Sequence, residues 1–206
     1  MCFWSHHFNT KRVNPEATAV TGHTKGIAKQ RQDPLRERYR IAANEAYIVD
    51  SAKTVRNGSE DPFHSTVAPG DGYGALWRVG IHRAVGGFHD LPNPGDILCA
   101  ALASCLHSTL RIIADRLEIP IASLEVSTWA EVDVRGTLLV DRNVPVGFQQ
   151  MKCQVRLDLA NNVPPEKVKM LLAAAEHSCV VLQTLRNGVP VQTHFNQGEP
   201  VAAPAQ

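Results

Sequence analysis

Alternating hydrophobic and polar positions predict two β-strands in the second half of the chain. Residues 124–134 (LEVSTWAEVDV) and 151–159 (MKCQVRLDL) follow the period of two that a strand with one solvated face requires. We therefore expect one face of each strand to line the protein core. In the second strand that inner face would carry Met151, Cys153, Val155, Leu157 and Leu159.

A long hydrophobic segment, residues 97–117, predicts a helix that is buried on all sides. Pro92 and Pro94 precede it, Asp96 can cap it or lie in its first turn, and Pro120 ends it. The segment is apolar over most of its circumference until charged residues appear near its end. A helix with that pattern lies inside a protein, so other elements must surround it.

The rest of the pattern predicts an α+β chain. Before the long helix, two segments resemble strands on either side of residues 56–74, which are dense in turn residues. After the second alternating strand, Pro164 and Pro165 open a further helix that runs to about His177. This order of elements is that of an α+β protein rather than of a repeating βαβ protein. The remaining expected elements are strands at residues 39–49 and 75–85, a short helix at residues 179–186 and a last strand at residues 189–195.

Composition favours one globular domain. The chain has 206 residues and a formal net charge of +1, and its charges are well mixed, which argues against binding to nucleic acid or to a membrane surface. No hydrophobic run approaches the roughly 20 residues of a membrane span, and the first residues lack the pattern of a secretory signal. We therefore expect a soluble, cytoplasmic protein. The expected organisation is an arm-like, partly disordered extension at residues 1–37, a domain at residues 38–196 and a disordered tail at residues 197–206.

Five cysteines without a short-spaced framework are typical of thiols that are buried, metal-bound or catalytic. Cys153 lies on the hydrophobic face of its strand and Cys99 points to a different side of its helix from Cys105, so both are interpreted as packing residues, whereas Cys2 supports no inference. Cys105 and Cys179 are either buried core thiols or reactants. Cys179 lies at the start of a predicted helix, where the dipole and unpaired N–H groups favour a thiolate.

Metal binding and Cys–His hydrolysis are two other possible functions of these thiols. Residues 105–107 (CLH) and 177–179 (HSC) contain soft metal ligands, but two residues on a helix are about 200° apart, so Cys105 and His107 cannot bind one ion. A metal-binding thiol protein is therefore a weaker interpretation. A hydrolase with a Cys–His catalytic pair remains an alternative interpretation. Its histidine would be one of His82, His89 and His177.

Two motifs together identify a family resemblance. Residues 93–105 (NPGDILCAALASC) resemble the Asn-Pro-Glu-x-Leu opening and Ala-x-Cys end of the buried-helix motif in the OsmC/Ohr family, the osmotically inducible and organic-hydroperoxide-resistance proteins. Residues 171–181 (LLAAAEHSCVV) resemble the second motif of that family, Ala-Glu-x-x-Cys-Pro-Val. The resemblance extends from about Arg38 to Phe195. It implies an intertwined homodimer in which antiparallel sheets from both chains wrap a long central helix, with active sites at the subunit interface.

The resemblance also implies a thiol-dependent peroxidase for organic hydroperoxides. Cys105 would attack the peroxide and become a sulfenic acid, and Cys179 would convert it to a Cys105–Cys179 disulfide. An external dithiol, such as a lipoylated protein, or a small thiol would then reduce the disulfide. No metal or organic cofactor is implied.

The family motif assigns charged residues to the site, and here the chain departs from it. Arg56 matches the arginine that would offset the burial of the Cys105 thiolate, and the glutamate that holds this arginine falls at Gly95. Asp96 is the nearest carboxylate, either as a substitute or as a helix cap. The departures leave an alternative function: an OsmC-like protein with little turnover that binds a small apolar or electrophilic ligand in the same cleft. Further residues of uncertain role are Arg40, Arg78, Arg83, Glu176 and Val180, the last at the position of the family's proline.

Overall fold

A computed structural model describes residues 26–55, 61–70 and 72–195 of the chain. The described residues form four α-helices, five β-strands and two short 3₁₀ turns, the turns at Ala43–Ala46 and Arg83–Val85. In chain order the helices and strands are α1 (Ile27–Ile41), β1 (Ala52–Val55), β2 (Ser65–Pro69), β3 (Trp77–Val79), α2 (Pro94–Arg116), β4 (Ile121–Glu131), β5 (Gln150–Leu159), α3 (Pro165–Ser178) and α4 (Val180–Asn187).

The strands form two antiparallel sheets. Strands β1, β2 and β3 make a three-stranded sheet in that order, and β4 pairs with β5 along nearly its full length. In the second sheet Val126 lies opposite Val155 and Thr128 opposite Cys153. The Thr128 hydroxyl donates to the Cys99 carbonyl of α2 at 2.8 Å, so this face of the sheet packs on the helix. The expected α+β class with antiparallel sheets is confirmed.

Helix α2 begins with a capping box. The Asn93 side chain accepts hydrogen bonds from the N–H groups of Gly95 at 2.8 Å and Asp96 at 3.2 Å, and the Asp96 carboxylate accepts from the Asn93 N–H at 2.9 Å. Pro94 occupies the first turn, where its missing N–H costs nothing. The prediction of a helix that begins near Asp96 is therefore confirmed, and Asp96 lies in the first turn as part of the capping box.

Within one chain, α2 is buried along one stripe and not on all sides as the pattern predicts. The buried residues Leu102, Leu106, Leu110 and Ala114 recur every fourth position and face β4, α3 and α4. The stripe on another side of the helix is exposed, and it consists of Ala100, Ser104, Ser108 and Ile112. The structure of the single chain thus covers only part of the apolar helix.

Among the described residues one helix, α2, has the length and apolarity of a membrane span. The pair α3–α4, which is bent by 62°, would be a second only if its two helices counted as one span. The core helix of a globular protein has the same composition, and α2 carries the buried stripe of this fold.

The core forms where α2, α3 and α4 meet the inner face of β4 and β5. Leu110, Leu171 and Cys179 are its most completely buried side chains. Burying a leucine side chain contributes about 1.5–3 kcal/mol, so this cluster is a main source of stability. Its buried members are Leu106, Leu110, Ala114, Ile119, Leu171, Ala175 and Cys179.

Helix α1 replaces a predicted strand. The prediction of a strand at residues 39–49 is wrong, because α1 continues to Ile41 and a 3₁₀ turn follows. The helix contains four Arg and two Gln residues, which favour helix. The Asp115 carboxylate accepts hydrogen bonds from Gly26 N–H at 3.1 Å and Ala28 N–H at 2.7 Å. The Arg116 guanidinium donates to Asp33 at 2.8 Å. The expected boundary at residue 37 falls inside this docked helix, and residues 1–25 lie outside the described residues.

Three other expectations for strands change. Strand β2 lies inside residues 56–74, which were predicted as turn, and the strand predicted at residues 75–85 is reduced to β3. Residues 189–195 form no strand, and they pair with none of the described strands. The expected tail at residues 197–206 lies outside the described residues.

Candidate active site: a pair of thiols in the core

The structure brings Cys105 and Cys179 together, although they are far apart in the sequence. Cys105 lies on α2 and is partly buried, and Cys179 is 0% exposed in the adjoining cluster. Helix α3 ends at Ser178 and α4 begins at Val180, so Cys179 occupies the corner between two helices that both pack on α2. Cys105 packs against the buried cluster that contains Cys179, and the two side chains are close enough for Cys105 to shift the pKa of Cys179.

The environment of Cys179 disfavours its thiolate. Burial raises the pKa of the Cys179 thiol, whereas the backbone N–H groups of Leu182 and Val181 at the start of α4 lower it. The hydrogen bond with Cys105 and the negative charge that Cys105 can carry raise the Cys179 pKa further. The expectation that the helix N-terminus would favour a thiolate is therefore wrong in its net direction: the N–H groups act as expected, but burial outweighs them.

Asp96 is a helix cap far along α2 from the thiols. Its carboxylate accepts hydrogen bonds from the backbone and the side chain of Asn93, at 2.9 and 2.7 Å. Asp96 precedes Cys105 by nine residues, which corresponds to about 14 Å along a helix. The candidate Arg56 lies outside the described residues. Arg40 pairs with Glu37 on α1, and Arg78 faces Asp90 near the three-stranded sheet.

Gly95 has an aromatic neighbour. A Cβ atom at this position would lie 3.0 Å from the Phe148 ring and 3.0 Å from the Asn93 side-chain oxygen. Any larger side chain would therefore have to displace Phe148. The absence of a carboxylate at Gly95 is thus matched by a ring that fills the space beside it.

A groove of about 570 Å³ extends from Phe148 between α2, α4 and β5. Leu102 and Leu182 line it, and they lie one turn from Cys105 and Cys179 respectively. Cys153 also lines it and is exposed, which corrects the expectation that Cys153 is a buried packing residue. The hydrophobic side chains of the groove are Leu98, Leu102, Phe148, Met151, Leu182 and Leu185.

The other residues that the sequence suggested for the site make contacts with groups other than the two thiols. Glu176, which matches the second motif, pairs with Arg186 at 2.5 Å. His82 and His89 contact each other with ring centroids 4.2 Å apart, and His177 is exposed on α3. No cluster of three or more His, Cys, Asp or Glu side chains within the described ranges could hold a metal ion.

Comparison with known proteins identifies the family. The family model described as OsmC-like protein matches residues 87–194, more than half of the chain. The chain belongs to the OsmC-like protein family. Both cysteines of the pair lie inside the matched region. None of the curated protein sequences is a significant match to the chain.

Solved structures of OsmC-like proteins share the fold at low sequence identity. An OsmC-like protein from Vibrio cholerae has a TM-score of 0.54 at 14% identity, with 67% of this chain and 94% of that chain covered. An OsmC-like protein from Mycoplasma pneumoniae has a TM-score of 0.53 at 13% identity, with 68% and 89% covered. An organic hydroperoxide resistance protein from Elizabethkingia anophelis has a TM-score of 0.50 at 16% identity, with 69% and 91% covered.

A hydrogen-bonded group of Asp61, His64 and Asp90, beside the three-stranded sheet, is not predicted from the sequence. The Asp-x-x-His spacing of residues 61–64 is its sequence signal.

Proposed function

We propose that the protein reduces organic hydroperoxides through Cys105 and Cys179, with Cys105 as the attacking thiolate and Cys179 as the resolving thiol. The observation that carries this proposal is the contact of the two thiols inside a hydrophobic core. A disulfide requires two cysteines whose Cβ atoms can approach to about 4 Å, and Cys105 packs against the same cluster as Cys179. The hydrophobic side chains of the groove beside them suit an alkyl chain, and Lys152 and Arg186 line the same groove.

The assignment of roles rests on ionisation. A thiolate is the nucleophile toward a peroxide, and the raised pKa of Cys179 keeps that thiol protonated. Cys105 is then the one to attack, and the neighbouring Cys179 S–H is available as a hydrogen-bond donor to its sulfur. Because Cys179 is 0% exposed within the chain, its sulfur is inaccessible to the peroxide.

The reaction balances in three steps. The Cys105 thiolate forms a bond to the distal oxygen of ROOH, the O–O bond breaks, and the alkoxide takes a proton and leaves as ROH. The Cys179 sulfur then attacks the Cys105 sulfenic acid, and hydroxide leaves with the Cys179 proton as water. An external dithiol reduces the Cys105–Cys179 disulfide and is itself oxidised to a disulfide. No step requires a metal or organic cofactor.

A homodimer is part of this proposal. The exposed stripe of α2 consists mainly of small residues, Ala100, Ser104 and Ser108, and small residues let two helices approach closely. Residues 189–195 carry exposed hydrophobic side chains, including Phe195 at 93% exposure, and this segment pairs with none of the strands in the described part of the chain. A second copy that covers both surfaces would complete the wrapping of α2. Light scattering is expected to give twice the chain mass of 22.5 kDa, and a monomer would contradict this part.

The experiment is thiol oxidation by cumene hydroperoxide in the purified protein. We expect rapid loss of two thiols per chain, no peroxide consumption in Cys105→Ser, and one turnover in Cys179→Ala that leaves Cys105 as a sulfenic or over-oxidised acid. Cys153→Ser is the matched control, because Cys153 lines the groove but is separate from the pair, and its rate should match that of the wild type. Equal, mild effects at Cys105 and Cys179 would refute the proposal.

A second candidate is a binding protein with little turnover. The commitment of Asp96 to the helix cap and the Phe148 ring beside Gly95 favour it, because neither position then offers a carboxylate to hold an arginine. Such a protein would bind a small apolar or electrophilic ligand in the groove without consuming peroxide. In the same assay, absence of thiol loss with retained binding of an apolar dye would support this candidate over the peroxidase.

A further inference from the structure

The three-stranded sheet is joined to the rest of the protein at few points. Its strands pack mainly on one another. Strand β3 continues into residues 80–93, the segment that leads to α2, and the Gly80 N–H donates to the Pro92 carbonyl at 3.0 Å. His64 lies directly before β2 and Asp90 lies on the connecting segment, so a bond between these two side chains ties the sheet to the start of α2.

His64 is held between two carboxylates. Its Nε2 atom lies 3.0 and 3.1 Å from the two carboxylate oxygens of Asp90, and its Nδ1 atom is hydrogen-bonded to Asp61. The imidazole stacks on the Phe88 ring with centroids 5.5 Å apart and planes inclined by 3°. The His64 side chain is 24% exposed, so packing and hydrogen bonds together fix the ring.

This arrangement fits only the charged form of His64. A neutral imidazole has one N–H donor and one lone pair, whereas an imidazolium has two donors. With the proton lost, one carboxylate would face a lone pair. Accordingly, the hydrogen bonds to Asp61 and then Asp90 raise the pKa of His64 above its ordinary 6.5, and the hydrogen bond from His64 lowers the pKa of Asp90. Arg78 on β3 also faces Asp90 and lowers its pKa, which keeps that carboxylate charged.

We propose that His64 and Asp90 form a pH-sensitive clamp between the three-stranded sheet and the segment that leads into α2, closed while His64 is protonated and loosened when the proton is lost. Asp61 belongs to the same turn as His64 and moves with it. Asp90 belongs to the other side, so of the hydrogen bonds that His64 makes to the two carboxylates, the one to Asp90 breaks when the sheet separates. The clamp does not depend on the proposed peroxidase activity.

The sign of the pH dependence follows from linkage. A histidine whose pKa is raised on folding contributes its full stabilisation below its unfolded pKa, near 6.5, and loses it as pH rises through the folded pKa. Because the pKa of Asp90 is lowered on folding, its carboxylate contributes its full stabilisation above the unfolded pKa of 3.8. That stabilisation is lost as pH falls through the lower, folded pKa. The clamp is therefore strongest between about pH 4 and about pH 6.5 and weakens toward alkaline pH.

The test combines an NMR titration of the full-length chain with amide hydrogen exchange. NMR should give a His64 pKa above 6.5, and a value at or below the 6.5 of an ordinary histidine would overturn the proposal. Protection of amides in β2 and β3, corrected for intrinsic exchange and compared with β4 and β5, should fall as pH rises through that pKa. The fall should be about tenfold for each unit by which the pKa exceeds its value in the opened state.

Variants separate the clamp from simple loss of structure. Asp90→Asn should bring the His64 pKa closer to 6.5 and remove the pH dependence of protection in β2 and β3. Asp61→Asn is the matched control: it should lower the His64 pKa but leave a pH-dependent change in protection, because Asp61 is on the same side as His64. His177→Phe, at an exposed histidine, should change nothing. Equal pH profiles in the wild type and Asp90→Asn would refute the clamp.

Discussion

Replacement of Asp96 by alanine tests whether this residue serves only as a helix cap or also takes part in the proposed reaction. The carboxylate accepts two hydrogen bonds from Asn93, and loss of a capping interaction costs about 1 kcal/mol. Loss of a negative charge at the helix N-terminus adds about 0.3–1 kcal/mol. Because Asp96 is exposed, the lower end applies, and we expect a total of about 1–1.5 kcal/mol, or a fall in Tm of about 3–5 °C.

Stability and rate are measured on the same variant. Urea unfolding gives the change in free energy, and stopped-flow thiol oxidation by cumene hydroperoxide gives the rate of the folded protein. Asn93→Ala is the matched control, because it removes the other half of the capping box. We expect both variants to lose stability and to keep the wild-type rate within about twofold. A loss of more than about tenfold in Asp96→Ala, with Asn93→Ala unaffected, would show that Asp96 acts in the reaction and would refute the capping assignment.

Three further predictions concern the packing around the site. Leu110→Ala should lower the free energy of unfolding by about 2–5 kcal/mol, because Leu110 is 1% exposed, whereas Leu139→Ala at 72% exposure should change it by less than about 0.5 kcal/mol. Asp115→Ala removes the acceptor at the start of α1 and should speed proteolysis within that helix, while Leu139→Ala should not. Gly95→Ala should be about 0.5–1 kcal/mol less unfavourable in a Phe148→Ala background than in the wild type, because only the Asn93 oxygen then remains 3.0 Å from the new Cβ; additive effects in urea unfolding would contradict the contact with Phe148.

Periodicity predicted the elements whose partners lie in the same chain. Strands β4 and β5 alternate clearly because one face of their sheet packs on α2, and proline marks the start of α3 and glycine the end of α4. Helix α1 was missed because its hydrogen bonds to Asp115 come from a residue more than 80 positions away. Strand β2 was missed because turn residues flank a short strand on both sides.

The parts of the candidate site that the sequence did not predict depend on contacts between residues far apart in the chain. The motifs located both cysteines, and the helix geometry explained why Cys105 and His107 could not share an ion. The sequence could not tell whether Asp96 replaces the missing glutamate, because that depends on the distance between a capping residue and a thiol nine positions later. It also gave no sign that Phe148, more than 50 residues after Gly95, fills the adjacent space.

The ionisation of Cys179 has a consequence for both stability and chemistry. A local rule, the helix N-terminus, favours its thiolate, but the side chain is also a member of the core, and burial raises its pKa. The same burial that makes Cys179 a poor attacking thiol makes it a stabilising residue. A serine at this position would bury a hydroxyl group in an apolar cluster, at a cost of about 1–3 kcal/mol. Alanine avoids that cost, so a kinetic defect in Cys179→Ala reports on the missing sulfur rather than on a disrupted core.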